Sequence, residues 1–385
     1  MGTVARIVVM QPYVPAYRAP FFTALEARLR DEGHELVIAA GEPTGPQAQR
    51  NDVAHLNDVP QRALRARTVR LGSARLRLVS ARSVWRDADV IVAELAAGSA
   101  ATYGALLQCR RPVGVWGHVE AFTAPDTRVT RALRRWQTRA ASHVLAYTDK
   151  GATVAKEWGV PPGHVTSLHN TVDVSALTDA IDRVQGQSEA DVRARLGVDC
   201  GPIFAMIGGL DESKRVDLVV ETLDLLWASR PEIQLVVGGR GDLEAAFGPA
   251  VSRGQVRVLG YVENETKAAL ARVATALLNP GRVGLIAVES MAMRLPIITT
   301  RGARHGPEYE YLTPGEDSVE CAPSASALAS AMIELADDPV RAGAMASAIG
   351  KKAAAFSLEY MVDQYAAALT SLIEDAKTRP GHPKM

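Results

Sequence analysis

Apolar residues recur along the chain with two alternating spacings. Short runs within Arg6–Met10, Glu35–Ala39, Val90–Ala93, Val113–Trp116 and His143–Tyr147 read as buried strands. Between them lie stretches of helical period. Pro20–Arg30, for example, places Phe21, Phe22, Leu25 and Leu29 on one face. The pattern restarts in the second half. Ile203–Ile207, Gln234–Val237, Val256–Leu259, Ala276–Leu278 and Ile297–Thr299 are its predicted strands, and Asp217–Ala228, Thr266–Val273 and Leu285–Met293 its predicted helices. Strand–helix alternation predicts crossover units and mainly parallel sheets covered on both faces, so the expected class is α/β, with one doubly wound domain in each half. The expected boundaries are 1–172 for the first domain, 173–357 for the second, and 358–385 for a last helix with room to cross back to the first. Asp182–Glu189 reads as a polar stretch leading into the second domain.

Composition sharpens this reading by exclusion. A chain of 385 residues exceeds one ordinary core. With 47% apolar and 22% charged residues, it is not of the disordered class. No apolar stretch approaches the ~20 residues of a membrane span, and the first residues show no secretory pattern. A cytoplasmic protein is therefore expected. Cys109, Cys200 and Cys321 are widely spaced with no CxxC pair, which argues for reduced thiols and against structural zinc or a disulfide scaffold. No cofactor and no metal site are expected.

Charge is unevenly spread. Residues 1–170 hold 22 Lys/Arg against 14 Asp/Glu, and residues 171–385 hold 21 against 29. Eight arginines and no acid lie from Arg62 to Arg86: Arg62, Arg65, Arg67, Arg70, Arg75, Arg77, Arg82 and Arg86. A second set, Arg128, Arg131, Arg134, Arg135 and Arg139, falls on a predicted helix. These arginines make either a solvated face or an attractor for an anionic acceptor or membrane surface, which would leave the protein peripherally bound. No aromatic platform accompanies them, so nucleic acid is not an expected partner. Asp87-Ala-Asp89 precedes a strand instead of ending one, and reads as a helix-to-strand turn, not a metal site.

Three segments of the second half carry chemistry. Ile207-Gly-Gly-Leu-Asp-Glu-Ser-Lys-Arg215 is a strand ending in two glycines, followed by a Lys-Arg pair that opens a helix. Glycines let a ligand approach the backbone, and Lys214 is a point charge suited to phosphate. Gly238-Gly-Arg-Gly241 is a second Gly-rich bend after a strand; it lacks the third glycine of a dinucleotide fingerprint. In Asn279-Pro-Gly-Arg-Val-Gly-Leu-Ile286 the amides of Gly284, Leu285 and Ile286 fall at a helix N-terminus, where an anion is favoured.

This ordered set resembles the retaining family 4 glycosyltransferases. The resemblance covers nearly the whole chain and implies the GT-B fold, two Rossmann-like domains facing a central cleft. It matches Lys214 to the phosphate-binding lysine and Glu289 to the second glutamate of a Glu-x7-Glu signature, which holds the nucleotide ribose. It matches His118, in Val115-Trp-Gly-His-Val119, to a strand-end histidine facing the donor sugar, so His118, Lys214 and Glu289 are the expected catalytic set. Gly208, Gly209, Arg215, Gly238, Arg240, Tyr261, Val262, Gly281, Gly284, Leu285 and Ile286 are expected around the donor. Tyr17, Arg18 and Asn170, the last in Leu168-His-Asn-Thr-Val-Asp173, are expected on the acceptor side.

Two positions depart from the family. Gly209 replaces an arginine and Gly281 replaces the first signature glutamate, which normally bonds donor-sugar hydroxyls. The Pro280-Gly-Arg-Val-Gly-Leu285 form, with His305-Gly-Pro-Glu308 and the opening Ala16-Tyr-Arg-Ala-Pro-Phe-Phe22, resembles a bacterial subgroup of the family. Arg215 or Arg240 then stands in for the missing charge. The resemblance implies metal-free, retaining transfer of a hexose-type sugar from a nucleoside diphosphate sugar, UDP-sugar favoured, to a hydroxyl of a small-molecule, glycan or lipid-linked acceptor. The alternatives are a UDP-sugar 2-epimerase of the same fold and a two-lobed sugar-binding protein without catalysis.

Overall fold

The computed structural model describes residues 4–43, 53–54, 56–64, 66–71, 74–79, 82–108, 110–121 and 126–378. Cys109 and Arg65 lie outside the described residues, as do the side chains of Arg67, Arg70, Arg75, Arg77 and Arg82. The chain divides into two compact units. Met1–Asp173 and Ser357–Met385 form the first, and Val174–Phe356 the second.

The first unit is built on strands β1 (Arg6–Gln11), β2 (Glu35–Ala40) and β3 (Gln61–Ala63), a hairpin of β4 (Ala66–Leu71) and β5 (Ala74–Val79), then β6 (Val90–Glu94), β7 (Val113–Gly117), β8 (His143–Ala146) and β9 (Val165–Ser167). Seven of these form one parallel sheet in the order β3-β2-β1-β6-β7-β8-β9. Helices cover both faces, so central strands such as Val113–Gly117 are buried at every position. The helix Leu358–Thr378 packs here, against the helix Ala19–Asp31 and against β6, β8 and β9. Its fully buried Tyr365 meets Trp116 and Phe21 edge-on, at centroid distances of 5.1 and 5.3 Å. Each such aromatic pair adds about 0.5–1.5 kcal/mol beyond the area it buries.

The second unit carries β10 (Ile203–Ile207), β11 (Gln234–Gly238), β12 (Val256–Gly260), β13 (Ala276–Leu278), β14 (Ile297–Thr300) and β15 (Ser318–Cys321), all parallel, in the order β12-β11-β10-β13-β14-β15. Strand order reverses at β1/β6 in the first sheet and at β10/β13 in the second. Crevices at such reversals, beyond the carboxyl ends of the strands, are where α/β sheets bind ligands.

One expectation fails. Asp182–Glu189 is not a polar linker. Residues up to Gln185 complete the helix Ser175–Gln185, and Glu189 opens the helix Glu189–Leu196. Leu177, Ala180 and Val184 are buried at helical spacing against the helix Asn264–Val273. The charged residues between them hide that stripe in the sequence. The Ser188 hydroxyl accepts from the Asp191 N–H and Gly197 ends the next helix at φ 67°, a cap-and-stop signal present in the sequence. Among the described residues no helix is long and apolar enough to cross a membrane, and no three His, Cys, Asp or Glu side chains group as metal ligands.

Candidate functional site

In the second unit the loops after β10 and β13 flank the strand-order reversal and are stitched to each other. Asp211 accepts from the Ser213 N–H at 2.8 Å, which turns the chain so that Lys214 points back across the sheet end. The Lys214 ammonium donates to the Arg282 carbonyl at 2.9 Å and to Asn279 Oδ1 at 3.3 Å. In return the Arg282 N–H donates to the Ser213 carbonyl at 2.7 Å. Desolvation, followed by the nearby Arg282 charge, lowers the Lys214 pKa to about 8. A nearby anion would reverse that shift, because it favours the charged ammonium.

The same stitching explains Gly281. A Cβ there would strike the Ser213 carbonyl and sit 2.7 Å from Lys214 Cα. The family glutamate is thus excluded by backbone packing. Beyond it, the helix Ile286–Met293 begins, and among the described residues the Gly284, Leu285 and Ile286 N–H groups donate to no protein acceptor. These amides and Lys214 belong to the two stitched loops, and a helix N-terminus and a cation each favour an anion.

Three side chains around this loop were not singled out from the sequence for a role. His305 Nδ1 accepts from the Val283 N–H at 3.2 Å, which assigns the ring proton to Nε2. The His305 ring stacks on Tyr309 at 3.8 Å, and desolvation lowers its pKa. Glu308 is buried with Oε2 close beside Gly284 and Gly306. Lys267 pairs with Glu289 at 2.7 Å, both largely buried, so the carboxylate matched to the ribose already has a cationic partner. The lysine falls on the inward side of its helix, three residues after Asn264, with no sequence motif to mark it.

Other predicted donor residues divide. Gly239 and Gly241 have no room for a side chain, because Gly208 and Leu210 backbone packs on them; the Gly238 carbonyl accepts from the Gly208 N–H at 2.9 Å. Val262 is buried against Gly238, whereas Tyr261 is exposed. Gly209 is exposed at the loop. Arg215, at φ 55°, is held by Asp217 at 3.0 Å, and Arg240 lies over Gly260 on the exposed side. The cation whose charge acts on Lys214 is Arg282, which lowers its pKa.

In the first unit Arg18 is buried against the rings of Tyr17, Trp116 and Tyr147, at 5.2, 5.3 and 5.7 Å, and donates to Asn170 Oδ1 and the Thr171 carbonyl. All three acceptor-side residues of the sequence thus meet at one cation. His118 follows β7, edge-on to Tyr147 at 4.5 Å. Its side chain is open to solvent on one side. Crowding on the other, then the charges of Arg18 and Arg134, push its pKa down to about 4, so it is neutral at pH 7. At the β1/β6 reversal, Gln11, Glu94, Ser99 and Thr102 line a small cavity of about 20 Å³. Asp87 is confirmed in a turn before β6, where Arg62 grips it at 2.6 and 2.7 Å.

A family model described as Glycosyltransferase Family 4 matches residues 21–176, and one described as Glycosyl transferases group 1 matches residues 201–338. The chain is 25% identical over 182 residues to the alpha-D-kanosaminyltransferase of Streptomyces kanamyceticus, covering 44% of this chain and 46% of that protein. It is 28% identical over 197 residues to a GDP-mannose-dependent monoacylated alpha-(1-6)-phosphatidylinositol monomannoside mannosyltransferase of Corynebacterium glutamicum, covering 47% and 49%. The chain thus spans about half the length of the curated relatives it matches. In fold it is similar to Anabaena HepE, solved in complex with UDP, with a TM-score of 0.68 at 15% identity over 96% of this chain and 100% of that one. With both halves matched in order and a two-sheet fold of this kind, the chain belongs to the family 4-like glycosyltransferases of GT-B fold.

Proposed function

We propose that the protein transfers a hexose-type sugar from a nucleoside diphosphate donor, UDP-sugar favoured, to a hydroxyl acceptor, with retention of configuration and without a metal. The observation that carries this is the loop pair at β10/β13, where Lys214 and the unengaged Gly284–Ile286 amides offer a cation and oriented dipoles to one anion. Breaking a sugar–phosphate bond builds negative charge on the leaving diphosphate, and preorganised donors at that point lower the barrier most. The acceptor hydroxyl attacks from the leaving-group face and gives its proton to the departing phosphate, so no protein nucleophile is required. Glu289, oriented by Lys267, holds the ribose. The UDP bound to HepE and the sugar transfers named for the two relatives support the donor class.

The test is nucleoside diphosphate release from UDP- and GDP-sugars in excess chelator, with and without acceptor hydroxyl compounds. Turnover should persist in EDTA. Activity that vanishes in EDTA and returns with magnesium or manganese would sink the metal-free mechanism, and tight donor binding without any release would favour a binding protein instead.

A further inference from the structure

The helix Arg128–Ala140 is docked inside out. Its buried positions are the polar Gln137 and Thr138, flanked by half-buried Thr130 and Arg134, and Gln137 Nε2 donates to the Ala96 carbonyl at 2.9 Å. At 100° per residue one of the two remaining sides, about 130° round from the buried one, carries Val129, Ala132, Leu133, Trp136 and Ala140. Val129 is 68% exposed, Leu133 39% and Trp136 40%, values that belong to a core stripe left uncovered. Trp136 stacks on Tyr103 at 5.6 Å, and Leu107, one turn beyond Tyr103, is also exposed. Along one edge of the stripe run Arg128, Arg131, Arg135 and Arg139, all exposed, with no acid inside the helix. Among the described residues only Asp126, just before the helix, pairs with this row, at 3.9 Å from Arg131. Ala132, Arg135, Trp136, Arg139 and Ala140 line an open groove of about 520 Å³.

The arginines decide what covers the stripe. A second copy packed on it would bring its own arginine row into the contact, and like charges oppose that pairing. An anionic lipid surface satisfies both halves of the pattern. Trp136, Leu133 and Val129 enter the acyl boundary, while the arginine stems lie along it and their guanidinium groups reach the phosphates. We propose that the helix Arg128–Ala140 docks the first unit on an anionic bilayer, lying in the headgroup plane.

The experiment is sedimentation of the full chain with phosphatidylcholine vesicles, with and without phosphatidylglycerol. Binding is expected only to the anionic vesicles, weakening as salt is raised. Arg135→Glu with Arg139→Glu should lower the partition coefficient about tenfold or more, and Leu133→Asp should lower it with the arginines intact. Unchanged thermal melts and unchanged UDP affinity show that each variant is folded. Binding that is absent, equal on neutral vesicles, or indifferent to these substitutions overturns the proposal. So does a dimer in analytical ultracentrifugation that Leu133→Asp dissociates.

Discussion

Gly281→Glu, which writes the family's first signature glutamate back into the loop, should lose nucleotide binding and not gain it. The reason lies in the backbone. A Cβ at position 281 collides with the Ser213 carbonyl and sits 2.7 Å from Lys214 Cα, and neither is the end of a flexible side chain. Relief requires that the loop after β13 move off the loop after β10. That movement breaks the bond from the Arg282 N–H to the Ser213 carbonyl and displaces the Arg282 carbonyl that holds Lys214. Overpacking of this kind costs roughly 1–3 kcal/mol even where neighbours yield. Gly281→Ala should therefore show most of the effect of Gly281→Glu. Calorimetric titration with UDP, beside a thermal melt of each variant, checks it. A folded Gly281→Glu that binds UDP as the wild type does would mean the loops separate easily and the stitching is not what positions Lys214.

Lys214→Ala should lower kcat by roughly 10²–10³, the scale of losing one charge-stabilising donor at a developing anion. The loss should exceed any loss of donor affinity, because the diphosphate carries more charge at the leaving oxygen as the bond breaks than it does in the bound donor. The same residue predicts a pH dependence whose sign follows from its lowered pKa. In the free protein Lys214 titrates at about 8, so as pH rises through that value the fraction carrying the charge falls and kcat/KM should fall with it. Bound diphosphate favours the charged form, so the fall in kcat should come at higher pH than the fall in kcat/KM. Initial rates against pH for the wild type and Lys214→Arg check this. Coincident limbs for both parameters, or a limb that survives in Lys214→Ala, would assign the titration elsewhere.

Much of this site was legible because strand ends can be read locally. Ile203–Ile207 and Ala276–Leu278 are continuous apolar runs, and the glycines and Lys214 that follow them mark the carboxyl edge without any knowledge of packing. What pattern could not show is which loops are neighbours. That Asn279 and the Arg282 carbonyl hold Lys214, or that Lys267 holds Glu289, depends on strand order and helix rotation, which leave no trace at a fixed sequence spacing. The same limit explains why the Arg282 charge beside Lys214 was not expected from the sequence. Short strands escaped for another reason. Gln61–Ala63, Val165–Ser167 and Ser318–Cys321 are three or four residues long and only partly buried, so they carry neither a run nor an alternation. The helix Ser175–Gln185 was missed because its stripe is three residues wide among charged neighbours.

The central claim is that a nucleoside diphosphate binds at the loop pair of the second unit, with its phosphates on the Gly284–Ile286 amides and Lys214. Hydrogen–deuterium exchange of the full chain, with and without saturating UDP or GDP, tests this most directly. The account predicts slowed exchange in peptides spanning 208–216 and 281–289, since those amides gain an acceptor when the phosphates arrive. Protection confined to the first unit, or none at either loop when calorimetry shows the nucleotide bound, would contradict it.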